Sequence, residues 1–555
     1  MNTANKELQL LTLAENAWNI GDLNRAKKIL FQALELNELH SRANELMAYI
    51  VGNEGDIDSA IQFLIKATAA LSCNPSALYE LGGLYFQKKK YQEAIMAYER
   101  SISCGGEFFE VLHDLALTKG IVGDLKGAVV TMGHAIQVNP KSEEAHYNLG
   151  RIFDELKLFD DAMKAYQSAL SCNPNFLEAL VNLGIALYEL NRPEEALICY
   201  EKALKIEPNF TAALLNKGMA FHMLNQYTQA LEVYEQALDL DPSFEDARWN
   251  KSLIDLTLGN YKEGWQNYES RFKAVISNRR RFVEIPLLNS LEKIQGSKIL
   301  VWCEQGYGDS LQFCRYLPMV KELGAEITFL VQKPLQKIMY SMGCCSVVVD
   351  ETSLGEVDFQ IPLLSLPKLF DTNLLNIPGD TPYLKVSRDL INEAAKWIKK
   401  GNEKKLKIGL ACSGSSTHHN DSRRSIPLSF FLPLLERGDV YLIQKDLNPS
   451  DVKVLQDHPE IFYCGDLIDN FEDSAALIKN MDFIVSVDTS LAHLSGALNQ
   501  KTFVCLPFSS EWRWLGGGGK SPWYPNSNLI RQSAPGNWAS VVEELLYQIQ
   551  LMELD

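Results

Sequence analysis

Asp309 is the first residue of this chain whose type and setting suit chemistry. It lies in Trp302 to Arg315, WCEQGYGDSLQFCR, between an apolar run, Ile299 to Cys303, and the amphipathic stretch Leu311 to Val320. The run predicts a buried strand and the stretch a helix. A strand passing through a small glycine turn into a helix brings backbone N–H groups and one carboxylate to the carboxyl edge of a parallel sheet, where α/β proteins bind ligands. An aspartate at that point could equally be a helix N-cap. A second stretch, Asp482 to Leu498, DFIVSVDTSLAHLSGAL, repeats the theme. Its strand ends at Asp488, Thr489 and Ser490 supply capping hydroxyls, and a helix begins near Leu491. The free N–H groups and positive dipole end of that helix suit a phosphate or diphosphate.

These stretches belong to a region of alternating strand and helix. Ile299–Cys303, Ile327–Val331, Ser346–Val349 and Phe359–Leu363 form one series of expected strands. Lys407–Ala411, Val440–Ile443, Ile461–Tyr463, Phe483–Val487 and Thr502–Leu506 form another, beyond the polar stretch Lys399 to Lys405. Two successive series imply two Rossmann-like lobes, the outline of a GT-B fold, although outline alone does not fix function. Two nucleotide motifs fail. Gly306 and Gly308 lack a third glycine at Leu311, and the tract Gly516 to Gly519 before Lys520 has Trp514 where a P-loop requires glycine. Neither a nicotinamide cofactor nor ATP hydrolysis is supported, and the tract reads as a flexible surface turn.

The first 272 residues of the chain repeat with a period of 34. Small residues recur at Ala14, Ala48, Gly82, Ala116, Gly150, Gly184 and Gly218, and again twelve positions later at Ala26, Ala60, Ala94, Ala128, Ala162, Ala196 and Ala230. Tyr98, Tyr166, Tyr200 and Tyr234 keep the step, as do Pro140, Pro174, Pro208 and Pro242. An eighth, degenerate unit, Asn250 to Phe272, carries Ser252 and Gly264 in the small positions. Asn148, Asn182, Asn216 and Asn250 stand two residues before a small position, with Asp114 preceding them in the series. If that position faces a groove, its amides could bind an extended backbone without reading its sequence. Between the halves, Lys273 to Gly296 holds the run Arg279, Arg280 and Arg281 and reads as a linker.

With 555 residues, several domains are required. The charge balance is 53 − 70 = −17, and most of the excess lies before residue 276. Such a surface disfavours nucleic acid. No apolar run reaches about 18 residues, so no membrane span is expected. Eleven scattered cysteines without a C-x-x-C pair predict reduced thiols and a cytoplasmic protein.

Two resemblances extend this reading. The 34-residue unit resembles the tetratricopeptide repeat, a helical hairpin that stacks into a superhelix, and the asparagine series is similar to the ladder of nucleocytoplasmic O-GlcNAc transferases. DTSLAHLSGAL resembles the nucleotide-sugar signature of lipopolysaccharide heptosyltransferases, with Ser490 where that family has glycine. Glu304 to Tyr316, Arg423 to Leu428, Gln444-Lys445-Asp446, Asp488 to Leu494, Trp512 to Trp514 and Ser521 to Pro525 match, in order, bacterial proteins that fuse such repeats to a heptosyltransferase-like domain.

The likeness implies a solenoid over 1–272, a linker over 273–296, an acceptor lobe over 297–400 and a nucleotide-sugar lobe over 401–555. It also implies an inverting glycosyltransferase that uses a nucleotide sugar as co-substrate and needs neither metal nor cofactor. Asp309 would be the base. Lys445, Arg424, Asp488, Thr489, Ser490, Leu491, Ala492 and His493 would hold the donor. Asn148, Asn182, Asn216, Asn250, Gln305 and Gly308 would meet a polypeptide acceptor. His418 and His419 should line the cleft without an assigned role. The alternatives are a glycan or lipopolysaccharide acceptor, and a repeat scaffold without activity.

Overall fold

The computed structural model describes residues 3–69, 74–275, 280–304, 306–398, 405–414 and 420–554. The chain divides into two compact units, Met1–Ala213 and Leu214–Asp555.

The first unit is a row of antiparallel helical hairpins, from Thr3–Asn19 with Leu23–Leu36 to Leu177–Glu189 with Pro193–Ile206. The 34-residue register has a steric cause. A Cβ on Gly82, Gly150 or Gly184 would lie 2.3–2.5 Å from the ring of Tyr98, Tyr166 or Tyr200, each sixteen residues later. Where alanine replaces the glycine, at Ala14, Ala48 and Ala116, the residue sixteen positions on is Leu30, Leu64 or Met132, and each is buried. Small residue and partner therefore fill one volume in each hairpin, at the density of a protein interior. Nine described cysteines are free thiols, whereas Cys104 is disulfide-bonded, which corrects the expectation that every thiol is reduced.

The second unit begins within the helix Thr211–Met223 and continues through Tyr227–Leu240 and the hairpin of Glu245–Thr257 with Tyr261–Tyr268. Gly218 against Tyr234 repeats the close approach, at 2.3 Å. Two parallel sheets follow. One contains β1 (Lys298–Trp302), β2 (Glu326–Leu330), β3 (Ser346–Val348) and β4 (Phe359–Pro362) in the order β3-β2-β1-β4. The other contains β5 (Leu406–Ala411), β6 (Gly438–Leu442), β7 (Phe462–Tyr463), β8 (Phe483–Val487), β9 (Thr502–Leu506) and β10 (Ser527–Arg531) in the order β10-β9-β8-β5-β6-β7. Strands buried on both faces, such as β8 and β9, explain the continuous apolar runs. β10 is not anticipated by the sequence reading.

A buried ion pair ties the end of the hairpins to β1. The Arg271 guanidinium, fully enclosed, donates to Glu304 at 2.9 Å, to Glu269 at 2.7 Å and to the Ser365 hydroxyl at 2.8 Å. Burial pushes the Glu304 carboxyl up to about 7 against the pull of Arg271. In the linker, Arg281 pairs with Glu351, and Arg280 lies over the Phe272 ring at 5.2 Å. The arginine run is therefore packed charge; Arg279 lies outside the described residues.

Candidate active site

In each parallel sheet the strand order reverses once, between β1 and β4 and between β5 and β8. Ligands of open α/β sheets bind at such switch points, outside the carboxyl ends of the strands. The loop after β1 carries Asp309, and the loop after β8 carries Asp488 to Ser490. Both stretches singled out by residue type therefore stand at switch points.

Asp309 is not the helix cap. The helix is Tyr307–Phe313, four residues longer at its start than expected, and Gly306 is its N-cap. Asp309 is the third helical residue. Its carboxylate accepts from the Gly306 N–H and forms an ion pair with Arg513. Burial raises its pKa above the ordinary carboxylate range, against the opposing field of Arg513.

Gly308 lies against the other loop. A Cβ there would fall 2.8 Å from Cδ2 of His493 and 3.7 Å from Cα of Ser490. This glycine is needed for the approach of the two helices, a packing reason that the acceptor-binding expectation did not contain. Gln305 lies outside the described residues, as do His418 and His419.

The helix after β8 is Ser490–Ala497, with Thr489 at its N-cap. The expectation of a hydroxyl cap is corrected. Thr489 Oγ1 turns to Ser486 Oγ at 3.3 Å and caps nothing. Ala492 N–H is taken up by the Thr489 carbonyl at 3.1 Å. Of the four residues expected to offer donors, Thr489, Ser490 and Leu491 keep backbone amides without a backbone partner among the described residues. Asp488 is buried at the strand end, and that burial pushes its carboxyl up to about 6.

His493 is a brace. Its Nδ1 shares a 3.0 Å hydrogen bond with the Tyr524 hydroxyl, and its ring stacks on Trp514 at 5.1 Å. Burial, then the charges of Arg513, Arg315 and Arg424, hold its pKa well below the ordinary value, so the imidazole is neutral.

Cationic groups gather around these loops. Arg424 lies against Gly414 in the loop after β5 and pairs with Asp421 at 3.6 Å. Lys445 is exposed just past β6, while its neighbour Gln444 is buried and accepts from the Cys412 amide at 2.8 Å. Arg513 and Arg531 were assigned no role by sequence reasoning, although an arginine between two tryptophans, Trp512 and Trp514, is a visible signal. Among the described residues, Nε of Arg513 and of Arg531 is buried without a hydrogen-bond partner, whereas Nε of Arg424 faces Asp421 at 3.6 Å and the Trp514 indole lies against the Asp488 carboxylate. Buried donors are rarely left unpaired in folded proteins. These two guanidinium donors stand in the same region as the free amides at the start of the helix Ser490–Ala497.

The asparagine series divides by environment. Asn148 is buried and donates to His113 Nε2 at 3.1 Å, while His113 Nδ1 faces Asp114 at 3.3 Å. Asn182 donates to the Tyr147 hydroxyl at 3.3 Å. Asn250 donates to the Asp246 carbonyl of its own helix at 2.9 Å. Asn216 is half-buried on Thr211–Met223. The amides are therefore not an unengaged row: three of the four already spend a donor within the protein.

Comparisons with known proteins bear on the repeats. The tetratricopeptide-repeat family matches residues 143–176, 177–210 and 211–244, and a second tetratricopeptide-repeat family matches 75–103. Protein FlbA of Caulobacter vibrioides is 23% identical over 296 residues, covering 49% of this chain and 49% of that protein. The chain thus spans about half the length of this curated relative. YrrB, described as a TPR protein with an unusual peptide-binding site, is 23% identical over 33% of this chain and 95% of its own, with a TM-score of 0.31. A repeat protein from Parabacteroides merdae is 18% identical over 43% of this chain and 92% of its own, with a TM-score of 0.35. Among the described residues, no helix is long and apolar enough to cross a membrane. The chain carries tetratricopeptide repeats, a protein-binding architecture, followed by an α/β region of two parallel sheets.

Proposed function

We propose that the α/β region is a GT-B glycosyltransferase that moves a sugar from a nucleotide donor to a hydroxyl of a polypeptide held by the repeats, in the cytoplasm. The observation that carries the reading is a cluster suited to an anion: the uncapped helix Ser490–Ala497 and the unpaired Nε donors of Arg513 and Arg531, next to the carboxylate of Asp309.

In this reading the donor diphosphate lies on the Ser490 and Leu491 amides, with Arg424 and Lys445 balancing its charge. The Asp309 carboxylate takes the proton of the acceptor hydroxyl. The oxygen then attacks the anomeric carbon opposite the phosphate, the bond from carbon to phosphate oxygen breaks, and its electron pair leaves on the nucleotide. Amide and guanidinium donors stabilise that developing charge. The configuration inverts.

Asp309→Asn should abolish transfer while nucleotide affinity stays nearly intact. Lys445→Ala should weaken nucleotide binding several-fold. Unchanged turnover in Asp309→Asn would sink the base assignment. A second reading, a scaffold without activity, draws on one observation: Asp309 is already committed to Arg513. Calorimetric titration with UDP-, GDP-, ADP- and CMP-sugars separates the two, because a scaffold binds none.

A further inference from the structure

The first helices of three successive hairpins, Thr3–Asn19, Ser41–Asn53 and Pro75–Gln87, line an open pocket of about 170 Å³ in the first unit. Trp18 and Tyr49 form its aromatic side, with ring centroids 4.6 Å apart and planes tilted by 60°. Its polar side is Arg42, Glu45 and Glu80.

The charges do not balance. Arg42 is occupied, donating to Glu15 at 3.2 Å and to Glu45 at 3.0 Å. Glu45 also accepts from the Asn74 amide. Glu80 has no hydrogen bond or ion pair among the described residues and lies on the exposed side of the helix, near Glu45. One guanidinium thus faces three carboxylates beside two π-faces, and what is missing is a cation. The volume limits its size, since sites for whole small molecules are typically about 300–1,000 Å³.

Register supplies the direction of approach. Glu80 occupies, in the third repeat, the position that Asn148 and Asn182 hold in the fifth and sixth. A chain that follows that row of first helices passes from neutral amides to two carboxylates, Asp114, which already accepts from the Tyr79 hydroxyl at 3.0 Å, and then Glu80.

We infer that the pocket takes the lysine or arginine side chain of an extended polypeptide. The cation sits against Trp18 and Tyr49 and pairs with Glu80. This names the chemistry of the acceptor in the function proposed above, but the pocket stands whether or not the α/β region transfers sugar.

The test uses the full-length protein without nucleotide sugar, so its outcome is independent of catalysis. Ligand-observed NMR titration at physiological salt compares a lysine-centred Gly-Ser peptide with the same peptide carrying Nε-acetyl-lysine. The lysine peptide should bind about fivefold tighter or better. Glu80→Gln, at an exposed position where folding is not at risk, should erase that difference. Glu194→Gln, an equal charge change on the second helix of another hairpin, should leave it intact. Trp18→Leu should reduce it. Equal binding of the two peptides, an unaffected Glu80→Gln protein, or an equal loss in Glu194→Gln would each overturn the assignment.

Discussion

Gly308→Ala tests whether the two loops are coupled as their geometry implies. The added methyl would stand 2.8 Å from His493 Cδ2. The ring has little room to retreat, because it is stacked on Trp514 at 5.1 Å and hydrogen-bonded to Tyr524 at 3.0 Å. Overpacking of this kind destabilises by about 1–3 kcal/mol, whereas alanine in place of a helical glycine returns up to about 1 kcal/mol. The net expectation is a loss of about 1–2 kcal/mol. His493→Ala removes the obstacle, so the double variant should be more stable than the two single changes predict by about 1 kcal/mol. Urea unfolding followed by tryptophan fluorescence reads the right half of the chain, since eight of the nine tryptophans lie at or beyond residue 249. If the proposed function holds, the shift of Asp309 should also lower transfer by about tenfold to a hundredfold. Nucleotide affinity should change little, because the Ser490 and Leu491 amides lie on the other helix. A Gly308→Ala protein at least as stable as the parent would refute the close approach, as would a cycle additive within about 0.3 kcal/mol.

Two further expectations concern buried charge. The Asp488 carboxyl stands near 6, above the ordinary value of 3.8, so its protonated form favours the fold. That contribution is complete below about pH 3.8 and is lost as pH rises through about 6, on the order of 2–3 kcal/mol at its limit. Unfolding of Asp488→Asn should therefore lose the part of the pH dependence between 4 and 7 that the parent shows; parallel curves would refute it. Arg271→Met would leave Glu304 and Glu269 facing each other without their cation and should destabilise the second unit by about 3–5 kcal/mol. Glu304→Gln in the same protein should recover part of the loss, and no recovery would mean that packing of the guanidinium on Phe272, at 4.1 Å, is the dominant effect.

Much of the fold can be read in the chain because its signals are local or periodic. The hairpins follow from a glycine or alanine and a partner sixteen residues away, and nine strands follow from short apolar runs. β10 escapes because Ser527–Arg531 offers only Leu529 and Ile530 in a polar setting, and its burial comes from β9 beside it. The site is legible only in part for a related reason. The pair between Asp309 and Arg513 joins residues 204 positions apart, and no period or spacing announces it. Nor does residue type reveal that the Thr489 hydroxyl turns away from the helix it precedes.

The motifs that carry the family resemblance do not all speak to catalysis. Glu304 holds Arg271, and Arg315 donates to the carbonyls of Trp523 at 2.9 Å and Pro378 at 3.1 Å. Trp512 stands edge-on to Trp265 at 5.3 Å, and Tyr524 braces His493. Each joins distant segments of the second unit, so a protein with no activity would need them as much as an enzyme would. What a scaffold has no reason to keep is a buried donor with nothing to donate to. Desolvating such a group without a partner costs about 1–3 kcal/mol, and the unpaired Nε atoms of Arg513 and Arg531 both carry that penalty. In the proposed function, the unsatisfied donors, rather than the matched motifs, are therefore the stronger support.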